Sequence, residues 1–259
     1  MNFNIADGTS RSHVPQKFPL RIFDYAYAYA LQFLHATDTA PQVTVPDSRY
    51  NVAADNDFVL LSQDRYLAVN EAQLVNFDFS RVNTLTAGYV AVYDFFRFVS
   101  ELVHDGHKAL VLLAPNESQV DPQLRARLAA RDHVKLDLYD WTLSSRIIQA
   151  IGARVNPAIA VIDLTGYFQC RQEVGEKLYL PGNTHWNLEG NALAGQVIAS
   201  YLLQHWFDVP ATLPQDLQHC AFRKEQATAT TSPAAIDAFI TETLLSTIRA
   251  RAEEETTSR

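Results

Sequence analysis

The sequence predicts an α/β protein, a three-layer parallel sheet flanked by helices, with a helical C-terminal extension. Two observations carry this expectation. Residues 109–114 (Ala-Leu-Val-Leu-Leu-Ala) and 158–164 (Ala-Ile-Ala-Val-Ile-Asp-Leu) are apolar almost throughout. A strand needs that composition when helices cover both faces of its sheet, as they do in parallel sheets. Each run also follows a segment of helical periodicity that stops at a glycine: 89–103 before Gly106, and 141–151 before Gly152. Helix, glycine and apolar strand, repeated, is the pattern of right-handed crossovers, so the two strands are expected side by side and parallel.

The remaining elements follow in chain order. Residues 1–17 are polar and without periodicity. Over 18–34, Ile22, Tyr25, Tyr29 and Phe33 recur at helical spacing behind Pro15 and Pro19. The stretch 40–56 holds Pro41, Pro46 and several Asp, Asn and Ser residues and reads as loop. Residues 1–56 are thus an N-terminal extension, and the α/β domain is expected over 57–207. It opens with a short buried strand at 58–61 (Phe-Val-Leu-Leu), and Phe77-Asp78-Phe79 is a weaker strand signal. Thr165-Gly166 reads as a loop after the second long strand, and 193–206 as an amphipathic helix. Residues 208–259 add a Thr/Ala/Ser linker at 227–233 and a helix at 234–251 with Ile236, Phe239, Ile240, Leu244 and Ile248 on one face. This extension is expected to add little to the sheet, and the Glu/Thr/Ser ending at 253–259 reads as a disordered tail.

Composition narrows the function classes. The 259 residues are 47% hydrophobic and 19% charged, with a net charge of -8. That field repels nucleic acid and anionic membrane surfaces, and no Arg/Lys run offsets it. No run approaches the ~20 apolar residues of a membrane span. The N-terminus has neither a basic nor an apolar region of a signal peptide, so the chain as written reads as soluble and cytoplasmic, or periplasmic if an export signal has been removed. Cys170 and Cys220 belong to no metal-ligand spacing. They read as two buried thiols or, less in keeping with how free cysteine is used, as one long-range disulfide. Neither a metal nor a cofactor is expected.

The chemistry-bearing segment is Leu178-Tyr179-Leu180-Pro181-Gly182-Asn183-Thr184-His185-Trp186-Asn187-Leu188-Glu189-Gly190, which follows a strand ending in Asp163-Leu164. This order resembles the SGNH-hydrolase superfamily, with a flavodoxin-like arrangement of strands and helices. In that superfamily the last strand ends in Asp-Leu before a loop bearing an acidic residue, the catalytic histidine and a helix opened by Asn-x-x-Gly. The His-Trp-Asn-x-x-Gly form is most similar to the branch containing the alginate O-acetylation proteins. That branch also has a strand ending in Pro-Asn, matched here by Pro115-Asn116. The resemblance covers about a hundred residues well and 57–105 loosely. It implies an O-acetyltransferase or esterase acting on a carbohydrate or small-molecule ester, with His185 as base. The alternative is a module that keeps the cleft without catalysis and binds a glycan or a protein partner.

The residues also depart from that pattern. Asn183 stands where the branch has Asp, and Glu117 where it has a basic residue; no Gly-Asp-Ser occurs in the chain. An amide orients an imidazole but does not stabilise its charged form as a carboxylate does. Ser62, at the end of the 58–61 strand, is the candidate nucleophile, although it lacks the small neighbour and the glycine of an oxyanion hole. Trp186 is expected to shield one face of the imidazole and, with Asn116 and Asn187, to contact substrate. Asn187 also suits the N-cap of the following helix. Asp163 either ties down the backbone after its strand or substitutes for the missing acid.

Overall fold

The computed structural model describes residues 61–132, 135–210, 213–214, 217–218, 220 and 231–257. The expected helix at 18–34, the loop at 40–56 and Phe58–Leu60 of the first expected strand lie outside these residues. The described chain is helical around a small parallel sheet. Strand β1 (Leu110–Leu113) pairs with β2 (Ala160–Asp163), Leu110 opposite Ala160 and Leu113 opposite Asp163. Both apolar runs are therefore strands, adjacent and parallel.

The elements between and around them are α1 (Gln63–Ala72), α2 (Thr86–His104), α3 (Glu117–Val120), α4 (Pro122–Asp132), α5 (Leu143–Val155), α6 (Thr165–Glu173) and α7 (Leu188–Trp206). A last helical stretch runs through α8 (Pro233–Ala238), a π-helical segment (Phe239–Leu244) and α9 (Leu245–Thr257). Val111 and Val161 pack against a cluster built by α2, α5 and the last helix, whose centre includes Phe96, Ile147 and Ile240. Ile162, one residue on from Val161 and so on the other face, packs against a second cluster built around Leu164, Phe168, Leu178 and Leu193. Phe96, Ile147 and Phe168 are fully buried, each contributing about 2–3 kcal/mol of apolar transfer. A third cluster joins α1 to α4 through Tyr66, Leu67, Leu124 and Leu128.

Several expectations are corrected here. Phe77-Asp78-Phe79 is no strand; it links two 3₁₀ turns (Gln73–Phe77 and Phe79–Leu85), because Asp78 caps the second by accepting from Ser80 N. Gly152 does not end its helix. It lies within α5, where a Cβ would come 2.7 Å from the Phe96 ring, so it serves the close approach of α2 and α5. Thr165-Gly166 is the first turn of α6, not a loop. The described residues of the C-terminal extension add no strand to the sheet, as expected, yet Ile236, Phe239, Ile240 and Leu244 are buried in the first cluster. The tail is helical as far as Thr257. Its glutamates are good helix formers, and Thr256 donates back to Ala252 O within the helix. Finally, Cys170 and Cys220 form a disulfide, with Cα atoms 5.6 Å apart. A separation of 50 residues along the chain carries no information about that proximity.

Candidate functional site

His185 sits on a short antiparallel turnback. Leu180 N donates to His185 O at 2.9 Å and Asn187 N to Leu178 O at 3.0 Å, with Tyr179 bridging Trp186 between them. The chain reverses at Pro181-Gly182, and the hairpin then runs directly into α7. Asn187 makes that junction: its Oδ1 accepts from Gly190 N at 2.9 Å and its Nδ2 donates to Lys177 O at 2.6 Å. Gly190 has no room for a side chain, because a Cβ there would lie 2.4 Å from Leu178 O. The Asn-x-x-Gly pattern thus has a local physical reason: the asparagine caps the helix while the glycine lets it press on the hairpin backbone.

The histidine's protonation pattern follows from the same geometry. Asn183 is buried, and its Oδ1 accepts from the His185 backbone N–H at 3.1 Å. A backbone N–H is always a donor, so the atom it faces is the amide oxygen. The His185 Nδ1 lies 2.5 Å from that same oxygen. Nδ1 must then carry a hydrogen, so the neutral tautomer of this exposed side chain has Nε2 as its accepting nitrogen. Asn183 orients the ring and selects its tautomer, but as a neutral group.

The other expected site residues fall in different places. Ser62 is the N-cap of α1, and its Oγ accepts from Arg65 N at 3.4 Å. Its neighbour Leu61 donates to Gly182 O at 3.2 Å, so the start of α1 is fastened to the turn of the His185 hairpin. Among the described residues no serine hydroxyl is hydrogen-bonded to His185. Trp186 is placed by packing instead. Its ring lies against Phe168 at 4.7 Å between ring centroids, beside the second cluster. Asn187 is spent on its cap and on Lys177 O. Asp163 holds backbone, accepting from Thr165 N at 2.9 Å. Asn116 precedes α3, donating its N–H to Gln119 Oε1, and lines a cavity at the C-terminal end of β1.

One group near the hairpin is absent from the expected site. Glu117 accepts a short hydrogen bond from the Tyr66 hydroxyl of α1. Burial pushes the Glu117 carboxyl up to about 7, against the opposing pull of the Tyr66 hydrogen bond; Asp121 raises it further, while Arg127 and Lys177 lower it. The Tyr66 phenol is held far above its ordinary value, first by burial and then by Glu117. Tyr179, across the hairpin from Trp186, donates to Pro115 O at 2.8 Å and ties the hairpin to the turn before Glu117. The signal in the sequence was the departure itself, an acid where the resembling branch has a base.

Comparison of the chain with family models, with curated proteins and with solved structures gives no match in any of the three.

Proposed function

We propose that this chain is an SGNH-hydrolase-like protein acting on ester or acyl groups, an esterase or O-acetyltransferase whose substrate is a carbohydrate or small-molecule ester. The observation that carries this reading is the Asn183–His185 pair, an oriented and exposed imidazole on a hairpin that Tyr179 ties to the turn after β1. The C-terminal ends of the strands are where open α/β sheets place their ligands. Apolar packing against both faces of the two strands supports the finer reading of a three-layer domain.

In the proposed reaction Nε2 accepts the Ser62 hydroxyl proton as Ser62 Oγ attacks the ester carbonyl. The protonated imidazole then gives that proton to the departing alcohol, leaving an acyl-serine. Water, or an acceptor hydroxyl in a transferase, attacks the acyl-serine with its own proton passing to Nε2 and then back to Ser62. Ser62 must first release Arg65 N. Asn183 keeps the ring in register through each step but does not neutralise the imidazolium, so the reaction is slow. The Cys170–Cys220 disulfide favours an oxidising compartment, hence the exported of the two expected locations.

A second reading rests on a specific observation: the Ser62 hydroxyl is engaged with Arg65 N and not with His185. On that reading the chain is a non-catalytic module binding a glycan or a protein partner. Hydrolysis of p-nitrophenyl acetate separates the two. Turnover above buffer that is lost in both His185→Ala and Ser62→Ala and raised in Asn183→Asp supports the enzyme. Equal, negligible turnover in wild type and all three variants supports the module. Wild-type turnover that survives His185→Ala overturns the mechanism.

A further inference from the structure

The cavity that Asn116 borders has a volume of about 460 Å³, within the usual range of small-molecule sites, and opens beside the C-terminal end of β1. Leu112 and Leu113 of β1 form part of its lining, with Val92 of α2 and Ile148 of α5 on neighbouring walls. Its polar side chains are neutral ones, among them Asn116 and Ser145; among the described residues no Asp, Glu, Lys, Arg or His lines it. None of Ser62, Asn183, His185 or Trp186 belongs to the lining either. We infer that this cavity is a binding site for an uncharged, mostly apolar small molecule with a hydrogen-bonding group at one end, separate from the His185 pair.

The lining selects the ligand class. A charged group entering this space gives up its hydration and finds no opposite charge among the described lining residues, a cost of several kcal/mol. An apolar body gains from leaving water against Leu112, Leu113, Val92 and Ile148. The amide of Asn116 and the hydroxyl of Ser145 suit an ester, amide or alcohol group and fix which way the molecule lies. The inference goes beyond the proposed esterase reading and stands if that reading fails.

Gly88 makes the site testable. It lines the cavity from α2, is exposed, and a Cβ there meets no atom within 4 Å. Gly88→Leu therefore adds a bulky side chain at the cavity's rim without a clash at Cβ, while replacing a poor helix former with a good one. The probe is N-phenyl-1-naphthylamine, a neutral dye that brightens in apolar sites. Saturable, one-to-one brightening is expected with wild type and with His185→Ala, and its loss with Gly88→Leu at unchanged or raised melting temperature. Methyl octanoate should displace the dye, and octanoate at about pH 8 should do so about tenfold less well or worse. Ala114→Phe, a substitution at an exposed lining residue at the end of β1, gives an independent block. No saturable brightening in wild type, undiminished binding in both folded blocking variants, or equal displacement by octanoate overturns the inference.

Discussion

The hairpin that carries His185 and the turn that carries Glu117 stand together, joined by the Tyr179–Pro115 hydrogen bond, yet they are held by opposite means. In the hairpin the side-chain contacts that orient His185 and open α7 are short-range. Asn183 reaches two residues on to His185, and Asn187 reaches three residues on to Gly190. At Glu117 the defining partner, Tyr66, lies 51 residues away on another helix, and burial rather than hydrogen bonding dominates the carboxyl's behaviour. The hairpin orients an exposed imidazole through a neutral amide, whereas the turn shelters an acid that titrates near neutrality. Short-range polar geometry survives most changes elsewhere in the molecule; a desolvated pair depends on the packing of distant elements.

The contrast can be broken most forcefully at Gly190. Gly190→Ala puts a methyl group against Leu178 O, and overpacking of that kind costs about 2–3 kcal/mol. Thermal unfolding should show a fall of roughly 5–10 °C. A variant that melts with wild type would mean that α7 does not press on the hairpin. A smaller loss, about 1–2 kcal/mol, is expected for Asn187→Ala, which removes the cap and the bond to Lys177 O. Asn187→Ser keeps a capping oxygen and should recover part of that loss in denaturant titrations. Equal stability of the two variants would show that the cap contributes nothing.

The smallest effect sharpens the other half of the comparison. The Glu117 carboxyl is raised in the folded state, so its contribution to stability is fully present below about pH 4.5 and is lost as the pH rises through about 7. Glu117→Gln removes that titration. Between about pH 5 and about pH 8 its melting temperature should fall less than that of wild type. Solvent screening of a half-buried group keeps the difference modest. Parallel pH profiles for the two proteins would refute the raised carboxyl.

These differences also explain what could be read in advance. The strands were legible because 109–114 and 158–164 permit only a helix-covered setting, and Asn187 was legible because an N-cap is a local device. Gly152 was misread for an instructive reason. A glycine beside a helix end and a glycine under a neighbouring aromatic ring look alike in one dimension, and only the Phe96 contact tells them apart. The last helix showed its apolar face in the spacing of Ile236, Phe239, Ile240 and Leu244, but nothing in that spacing names α2 and α5 as its partners. Trp186 likewise gave its apolar character but not its side of the hairpin. Glu117 stood out only as an acid where the resembling branch has a basic residue, and nothing in the sequence named Tyr66 as its partner.

The disulfide has a mechanical consequence. Cys170 and Cys220 close a covalent ring of 50 residues' span that contains the whole His185 hairpin and α7. A force applied to the two ends of the chain passes across the sulfur–sulfur bond and bypasses everything inside the ring. Stretched to its contour limit, the oxidised chain is shorter than the reduced one by roughly 170 Å. The backbone of the base-bearing hairpin is therefore outside the covalent path of the force, and a single backbone cut within the ring leaves both pieces on one molecule.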